Sequence, residues 1–285
     1  MWNGSQTRST HLALLAITYT AATMMPSLIG YGDPAAIARQ LDEMGVACLE
    51  NAVCPEWLAH ARADVYDRLL AYGERDHFIP SPESEENTAA AAFIGSPDVS
   101  ALLSAVARIR FPQGPAELEL IGSALRVIAG PRGEGDAFWF HYDASILTMV
   151  VPIFLPDAEP GSAGELVGLF NKRPFRRLVI ANIIDKAIGQ SGFYRNYLLR
   201  RLDRPDYLHR VAMEIGNAYL FWGYRSLHGN MPCESGALRA TLLLHFGRPH
   251  GPSPTLTAAA RFAKSLRRLG QKATGSATDT AVGAY

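Results

Sequence analysis

The sequence predicts a mainly β protein with flanking helices: short strands forming a barrel or sandwich, buttressed by helices from the N-terminal part of the chain. Three observations support this. Up to about residue 110, apolar residues recur at helical spacing between proline starts and glycine stops. From Leu118 onward, short apolar runs alternate with Gly- and Pro-containing turns. Hydrophobic residues make up 48% of the 285 and charged residues only 19%, enough to bury a large core and too apolar for a disordered chain.

The helical block opens at Asp33-Pro34, an N-cap carboxylate followed by proline at the first helical position, and runs to about Met44. Gly45 then stands where a left-handed residue ends helices. Residues 46–49 read as a short buried strand. A second helix starts near Cys54-Pro55-Glu56, carries Trp57, Leu58, Ala61, Val65, Leu69 and Leu70 at helical spacing, and closes at Gly73. Residues 80–87 form a polar loop, and residues 97–110 a further amphipathic helix. Strands are expected at 118–121 and 125–128, separated by a Gly122-Ser123 turn, and then at 138–141, 146–155, 165–170 and 178–180. Residues 183–202 read as an Arg-rich helical insertion. Strands resume at 211–213, 218–222 and 240–246. The tail beyond Pro254, rich in Ala, Thr, Ser and Lys, reads as a surface helix and a loose end. Accordingly, residues 1–30 are assigned to an N-terminal extension, 31–254 to the folded domain and 255–285 to a C-terminal tail.

Charge and cysteine content restrict the function. Lys+Arg 27 balance Asp+Glu 27, so the chain lacks the basic excess of a general nucleic-acid binder. The apolar run at 12–25 faintly resembles a secretory signal. It is too short for a bilayer core of about 30 Å and is diluted by Thr18, Tyr19, Thr20 and Thr23, so a cytoplasmic protein without a membrane anchor is expected. Cys48, Cys54 and Cys233 are odd in number and match no zinc spacing, which predicts reduced thiols.

Two imidazoles and a carboxylate carry the chemistry. His141-Tyr142-Asp143 follows the apolar Phe138-Trp139-Phe140, and residues two apart on an extended segment point to one side. His228 comes after Tyr219-Leu220-Phe221-Trp222 and a Gly223-Tyr224-Arg225 turn. Two histidines and one carboxylate on one face of a metal leave its other positions open, the ligand set of non-haem Fe(II) oxygenases. The triplet alone is weak, because with 8 histidines such a pattern arises by accident. Arg239 strengthens it: an arginine inside the apolar run Leu238 to Leu244 is costly unless it meets an anion. A dicarboxylate supplies that anion, held by a two-bond guanidinium fork, with the Thr241 hydroxyl on the same face. Arg126 reads as a salt-bridged strand residue or a contact to substrate or co-substrate. Trp139 and Trp222 read as core or pocket lining, His245 as a hydrogen-bonded core histidine, and Cys233 as an inert thiol. Lys172, Arg173, Arg176, Arg177, Arg195, Arg200, Arg201 and Arg204 read as a solvated face or as a landing site for an acidic group.

Taken in order, His141-x-Asp143, His228 and Arg239 resemble the Fe(II)/2-oxoglutarate-dependent oxygenases, specifically the phytanoyl-CoA dioxygenase-like branch. Leu41 to Asn51 resembles that branch's opening helix and strand. Gly216 to Phe221 resembles the strand leading to the distal histidine, with Asn217 where an acidic residue is frequent. The likeness spans about residues 34–248. It implies a double-stranded β-helix (jelly-roll, cupin-like) core with the metal between its sheets. It also implies Fe(II) on His141, Asp143 and His228, 2-oxoglutarate on Arg239 and Thr241 with Arg126 as a further contact, and O2 as the second co-substrate.

The implied reaction is that of a 2-oxoglutarate-dependent dioxygenase: hydroxylation, desaturation or cyclisation at an unactivated C–H bond of a small organic metabolite, in secondary metabolism or catabolism, with release of succinate and CO2. The retained carboxylate ligand disfavours halogenation. The basic group adds an acidic, CoA-linked or carrier-bound substrate as an expectation, and residues 157–210 are expected to act as a lid or insertion over the site. Two other classes stand beside this reading: a metal-free or zinc-bound jelly-roll that only binds a ligand, and a zinc-dependent hydrolase on the same triad, which would not need Arg239. The oligomeric state is not legible.

Overall fold

Proline-started, glycine-stopped helices build one side of the molecule, and the computed structural model describes them and the sheets through residues 27–112, 117–130, 137–174, 191–202, 204 and 207–249. In α1 (Pro34–Met44) the Asp33 carboxylate accepts the Ala35 amide at 3.0 Å, and the amide of left-handed Gly45 donates to the Leu41 carbonyl. β1 (Val46–Leu49) follows. α2 (Pro55–Tyr72) buries Trp57, Leu58, Ala61 and Val65, while Leu70, expected in the same stripe, is 85% exposed. β2 (His77–Pro80) was not foreseen. It is a half-buried edge strand ending in proline, with too short an alternation to stand out. α3 (Ala89–Ile94) accepts the Trp57 indole N–H on its first carbonyl at 2.7 Å, and α4 (Pro97–Arg110) packs against α1.

The remaining strands are β3 (Glu117–Ile128), β4 (Leu147–Phe154), β5 (Leu166–Leu169), β6 (His209–Val211), β7 (Ala218–Trp222), β8 (Leu227–Asn230) and β9 (Arg239–Arg248). A six-stranded antiparallel sheet runs β1-β7-β4-β9-β3-β2, and a three-stranded sheet runs β6-β5-β8. The two sheets make a jelly-roll core with helices outside it, as the sequence predicts. Side-chain alternation sorts the large sheet into two faces. Leu125, Val127, Leu147, Met149, Leu220, Trp222, Ala240, Leu242 and Leu244 face the helices in the main core. Val46, Val150, Tyr219 and Phe221 face inward and meet Leu166, Phe170 and Val211 of the smaller-sheet side.

Several expectations need correction. Gly122-Ser123 is not a turn: β3 runs through it, and a register shift between Leu120 and Gly122 marks a bulge that the glycine absorbs. Residues 138–141 are not a strand, because Phe138 takes φ 58° and only an isolated bridge, His141 to His228, ties the segment to β8. β6 begins two residues before the strand expected at 211–213. Within residues 157–210, β5 and β6 belong to the small sheet. α5 (Gly192–Leu199), shorter than the helix expected at 183–202, packs Leu198 on Phe140, Val167 and Leu227. The strand expected at 178–180, the first part of the expected helix, residues 1–26 and the tail lie outside the described residues. Among the described residues no helix is long and apolar enough to cross a membrane.

Candidate metal centre

The bridge between residues 141 and 228 creates the centre. The His141 amide donates to the His228 carbonyl at 2.9 Å and the His228 amide to the His141 carbonyl at 3.0 Å, so the side chains emerge as a cross-strand pair with ring centroids 4.4 Å apart. Asp143 lies just beyond the bridge, its amide donating to the Gly223 carbonyl at 3.2 Å. His141 Nε2 is 3.5 Å from Asp143 Oδ1, and His228 Nε2 is 3.6 Å from Asp143 Oδ2. One donor atom from each of the three residues lies within 4.8 Å of the others, a spacing that suits a single ion.

Each ring is oriented from behind. His141 Nδ1 is 3.0 Å from the Trp139 carbonyl and His228 Nδ1 is 3.1 Å from the Ser226 carbonyl. A carbonyl only accepts, so each Nδ1 carries a hydrogen, and in the neutral ring Nε2 is then the lone-pair atom available to a metal. Burial pushes His228 down to about 4 despite the neighbouring Asp143 carboxylate. Burial acts to raise Asp143, yet His228, His245 and His141 around it hold its carboxyl well below the usual range. At neutral pH His228 is therefore a neutral imidazole and Asp143 an anionic carboxylate, the forms that ligate metals. The His141 side chain is 39% exposed against 5% for Asp143 and 8% for His228, so the centre opens to solvent on the His141 side.

On β9 the inward face carries Arg239, Thr241, Leu243 and His245, because the alternate residues belong to the outer core. Arg239 is 2% exposed, and its Nε and Nη1 have no hydrogen-bond partner among the described residues. Burial, with Arg126 nearby, lowers it to about 10, which still leaves it cationic at neutral pH. A buried guanidinium with two idle donors is costly, by more than the about 1–3 kcal/mol of a neutral orphan donor. Room for it comes from Gly164, where a Cβ would lie 2.5 Å from Cys233 Sγ and 2.6 Å from Arg239 Cδ. Thr241 stands opposite Arg126 on β3 and opposite Pro152 on β4, so both candidate contacts share the inward face with Arg239.

The other residues singled out from sequence divide. Trp222 is fully buried on the helix side with its indole N–H on Asp42, whereas Trp139 is 42% exposed beside the opening. Asn217 accepts the Asn51 amide at 2.8 Å, a structural contact. Arg173 is not solvated: it is buried, its guanidinium 4.0 Å over the Tyr142 ring and bonded to the Tyr224 carbonyl. Arg201 stacks 3.6 Å over Tyr197 and, with Phe193, Asn196, Arg200 and Arg204, lines a cleft of about 500 Å³. Arg176 and Arg177 lie outside the described residues. His245 reaches the centre, its Nδ1 3.6 Å from Asp143 Oδ2. Sequence reasoning missed Ser145, Thr148, Gly164 and Gly223, whose roles depend on a pairing register that no local pattern reveals.

No protein-family model and no curated protein matches the chain. Solved structures do. The chain is similar to AviO1 from Streptomyces viridochromogenes, with a TM-score of 0.52 at 16% identity over 78% of this chain and 97% of that one. It is similar to the non-heme α-ketoglutarate-dependent carbocyclase SnoK from nogalamycin biosynthesis, with a TM-score of 0.52 at 14% identity over 82% and 93%. It is also similar to HygX from Streptomyces hygroscopicus, solved with nickel and 2-oxoglutarate bound, with a TM-score of 0.50 at 12% identity over 75% and 86%. At these identities the likeness establishes the fold, a jelly roll shared with 2-oxoglutarate-dependent oxygenases.

Proposed function

We propose that the protein is an Fe(II)- and 2-oxoglutarate-dependent oxygenase acting on a C–H bond of a small organic molecule. The observation that carries this is the pairing of an open three-ligand centre with a buried arginine whose Nε and Nη1 lack partners, on the inward side of one jelly roll. A zinc hydrolase on the same triad would have no use for that arginine. The solved neighbour with nickel and 2-oxoglutarate bound supports the same reading.

In this reading His141, Asp143 and His228 hold the iron, and Arg239 with Thr241 holds the distal carboxylate of 2-oxoglutarate, with Arg126 a further contact. The bound metal and co-substrate supply, with O2, the oxidising power that converts C–H to product as succinate and CO2 leave. The chain's own contribution is positional. The Nδ1 contacts to Trp139 and Ser226 fix both rings, the guanidinium fixes the co-substrate's orientation, and the apolar inner face of Val150, Tyr219 and Phe221 keeps bulk water away. Substrate approaches past His141 and Trp139, the exposed edge. The Arg200–Arg204 cleft supports an acidic, CoA-linked or carrier-bound substrate, and the reading places the chain in the phytanoyl-CoA dioxygenase-like branch with a role in secondary metabolism. A lid drawn from residues 157–210 and a cytoplasmic location complete the reading.

A succinate-release screen of the purified protein with Fe(II), 2-oxoglutarate and candidate metabolites tests it, with mass spectrometry for products that gain an oxygen or lose two hydrogens. Succinate formation that depends on His228 supports the proposal. Metal binding without succinate formation across acidic and neutral candidates would leave a binder instead.

A further inference from the structure

A carboxylate that must offer one oxygen to a metal needs its other oxygen held. Asp143 Oδ2 accepts the Thr148 hydroxyl at 2.5 Å, while Oδ1 faces His141. A threonine hydroxyl has one hydrogen to give, and here the carboxylate takes it. Its lone pairs then face Ser145 Oγ at 3.0 Å and His245 Nδ1 at 3.3 Å, and Ser145 Oγ is itself 3.4 Å from that Nδ1. Because Thr148 Oγ1 is already a donor, Ser145 and His245 must donate to it. The result is a chain of hydrogen bonds running into Oδ2, in which each bond polarises the next.

The surroundings are shaped for this chain. Ser145 and Thr148 are buried, Thr148 and His245 stand opposite each other where β4 pairs with β9, and β9 is the strand that carries Arg239. The Gly223 backbone closes the top: a Cβ there would lie 2.6 Å from Ser145 Oγ, 2.6 Å from Thr148 Oγ1 and 2.9 Å from Asp143 Cβ. Three separate parts of the chain, residues 143–148, Gly223 and His245 of β9, therefore meet around one carboxylate.

We propose that Thr148 and His245, supported by Ser145, are positioning residues that tie down Asp143 Oδ2 and so fix the orientation of the carboxylate toward the Nε2 atoms of His141 and His228. This rests on the metal-centre reading above and adds the residues behind it.

The test is Co(II) affinity of the full-length protein, by calorimetry and visible absorption, with the thermal midpoint of the metal-free protein alongside. The wild type binds one Co(II), and His228→Ala loses it. Thr148→Val, which keeps shape and removes the hydroxyl, weakens Co(II) about 10- to 100-fold and alters the visible band as the carboxylate turns. Thr148→Ser recovers most of the affinity and the wild-type band. His245→Ala gives a smaller loss, and His245→Asn, with an amide donor near the Nδ1 position, recovers part of it; this pair reads the role independently if Thr148→Val folds poorly. Wild-type affinity and spectrum in Thr148→Val and His245→Ala, with His228→Ala still inactive in binding, would overturn the positioning role and leave the metal centre standing. No Co(II) bound by the wild type would overturn both.

Discussion

The inward face of β9 has two ends with opposite hydrogen-bonding states. At the His245 end, Asp143, Thr148, Ser145 and His245 satisfy one another, and His141 and His228 both have their Nδ1 on backbone carbonyls. At the Arg239 end, a guanidinium only 2% exposed keeps Nε and Nη1 without partners among the described residues. Both ends are buried and polar, so burial alone does not distinguish them. A satisfied network fixes atoms for use. An unsatisfied cation is stable only if something anionic completes it. In the proposed reading the first end is a holder already assembled by the chain, and the second is half of a site whose other half arrives with a ligand.

Removing a ligand at the satisfied end gives the largest effect. His228→Ala is expected to lose stoichiometric Fe(II) and all turnover, because a buried Nε2 donor and its cross-strand partner geometry go together. Metal analysis after anaerobic loading, together with succinate release, checks it; stoichiometric iron with near-normal turnover would contradict the ligand assignment.

Breaking the other end separates co-substrate from metal. Arg239→Ala is expected to raise the apparent 2-oxoglutarate KM by about 10- to 100-fold, the worth of one charge-assisted hydrogen bond of about 1.5–3 kcal/mol, with Co(II) affinity unchanged. Arg239→Lys recovers only part, since a point charge lacks the fork. An unchanged KM would move the anchor to Arg126. A smaller version of the same break comes from Gly164→Ala, whose Cβ would crowd Arg239 Cδ and Cys233 Sγ. It is expected to raise the 2-oxoglutarate KM several-fold with little change in metal affinity, measured by the same two titrations.

The mildest probe is pH. His228 titrates at about 4 in the fold and near 6.5 when unfolded, so as pH falls the unfolded state takes up its proton first. The stability of the metal-free protein is therefore full above about 6.5 and declines toward about 4. Asp143, held low, adds its own loss only as the pH drops below the ordinary carboxylate value of 3.8. Thermal midpoints between pH 7 and 4.5 should fall in the wild type and fall less steeply in His228→Gln.

Local chemistry made much of this legible in the sequence. The Asp33-Pro34 start, the Gly45 stop, the run Ala218–Trp222 and the lone arginine in an apolar strand each carry their reason within a few residues. What stayed hidden depends on pairing between distant strands. His228 reads as lying after a strand, yet it sits on β8, because a four-residue strand containing glycine and asparagine has no apolar alternation to show. Thr148 meets His245 only because β4 pairs with β9 in the register that sets the two opposite each other. Gly122-Ser123 looked like a turn because a glycine bulge and a glycine turn share a composition.

The central claim is that the metal centre and the Arg239 end form one co-substrate site, and anaerobic titration of 2-oxoglutarate into the Fe(II)-loaded protein tests it most directly. A weak visible charge-transfer band saturating at one equivalent in the wild type, and shifted to much higher 2-oxoglutarate in Arg239→Ala, is the predicted result. Stoichiometric Fe(II) with no band at any 2-oxoglutarate concentration, or a band indifferent to Arg239, would contradict it.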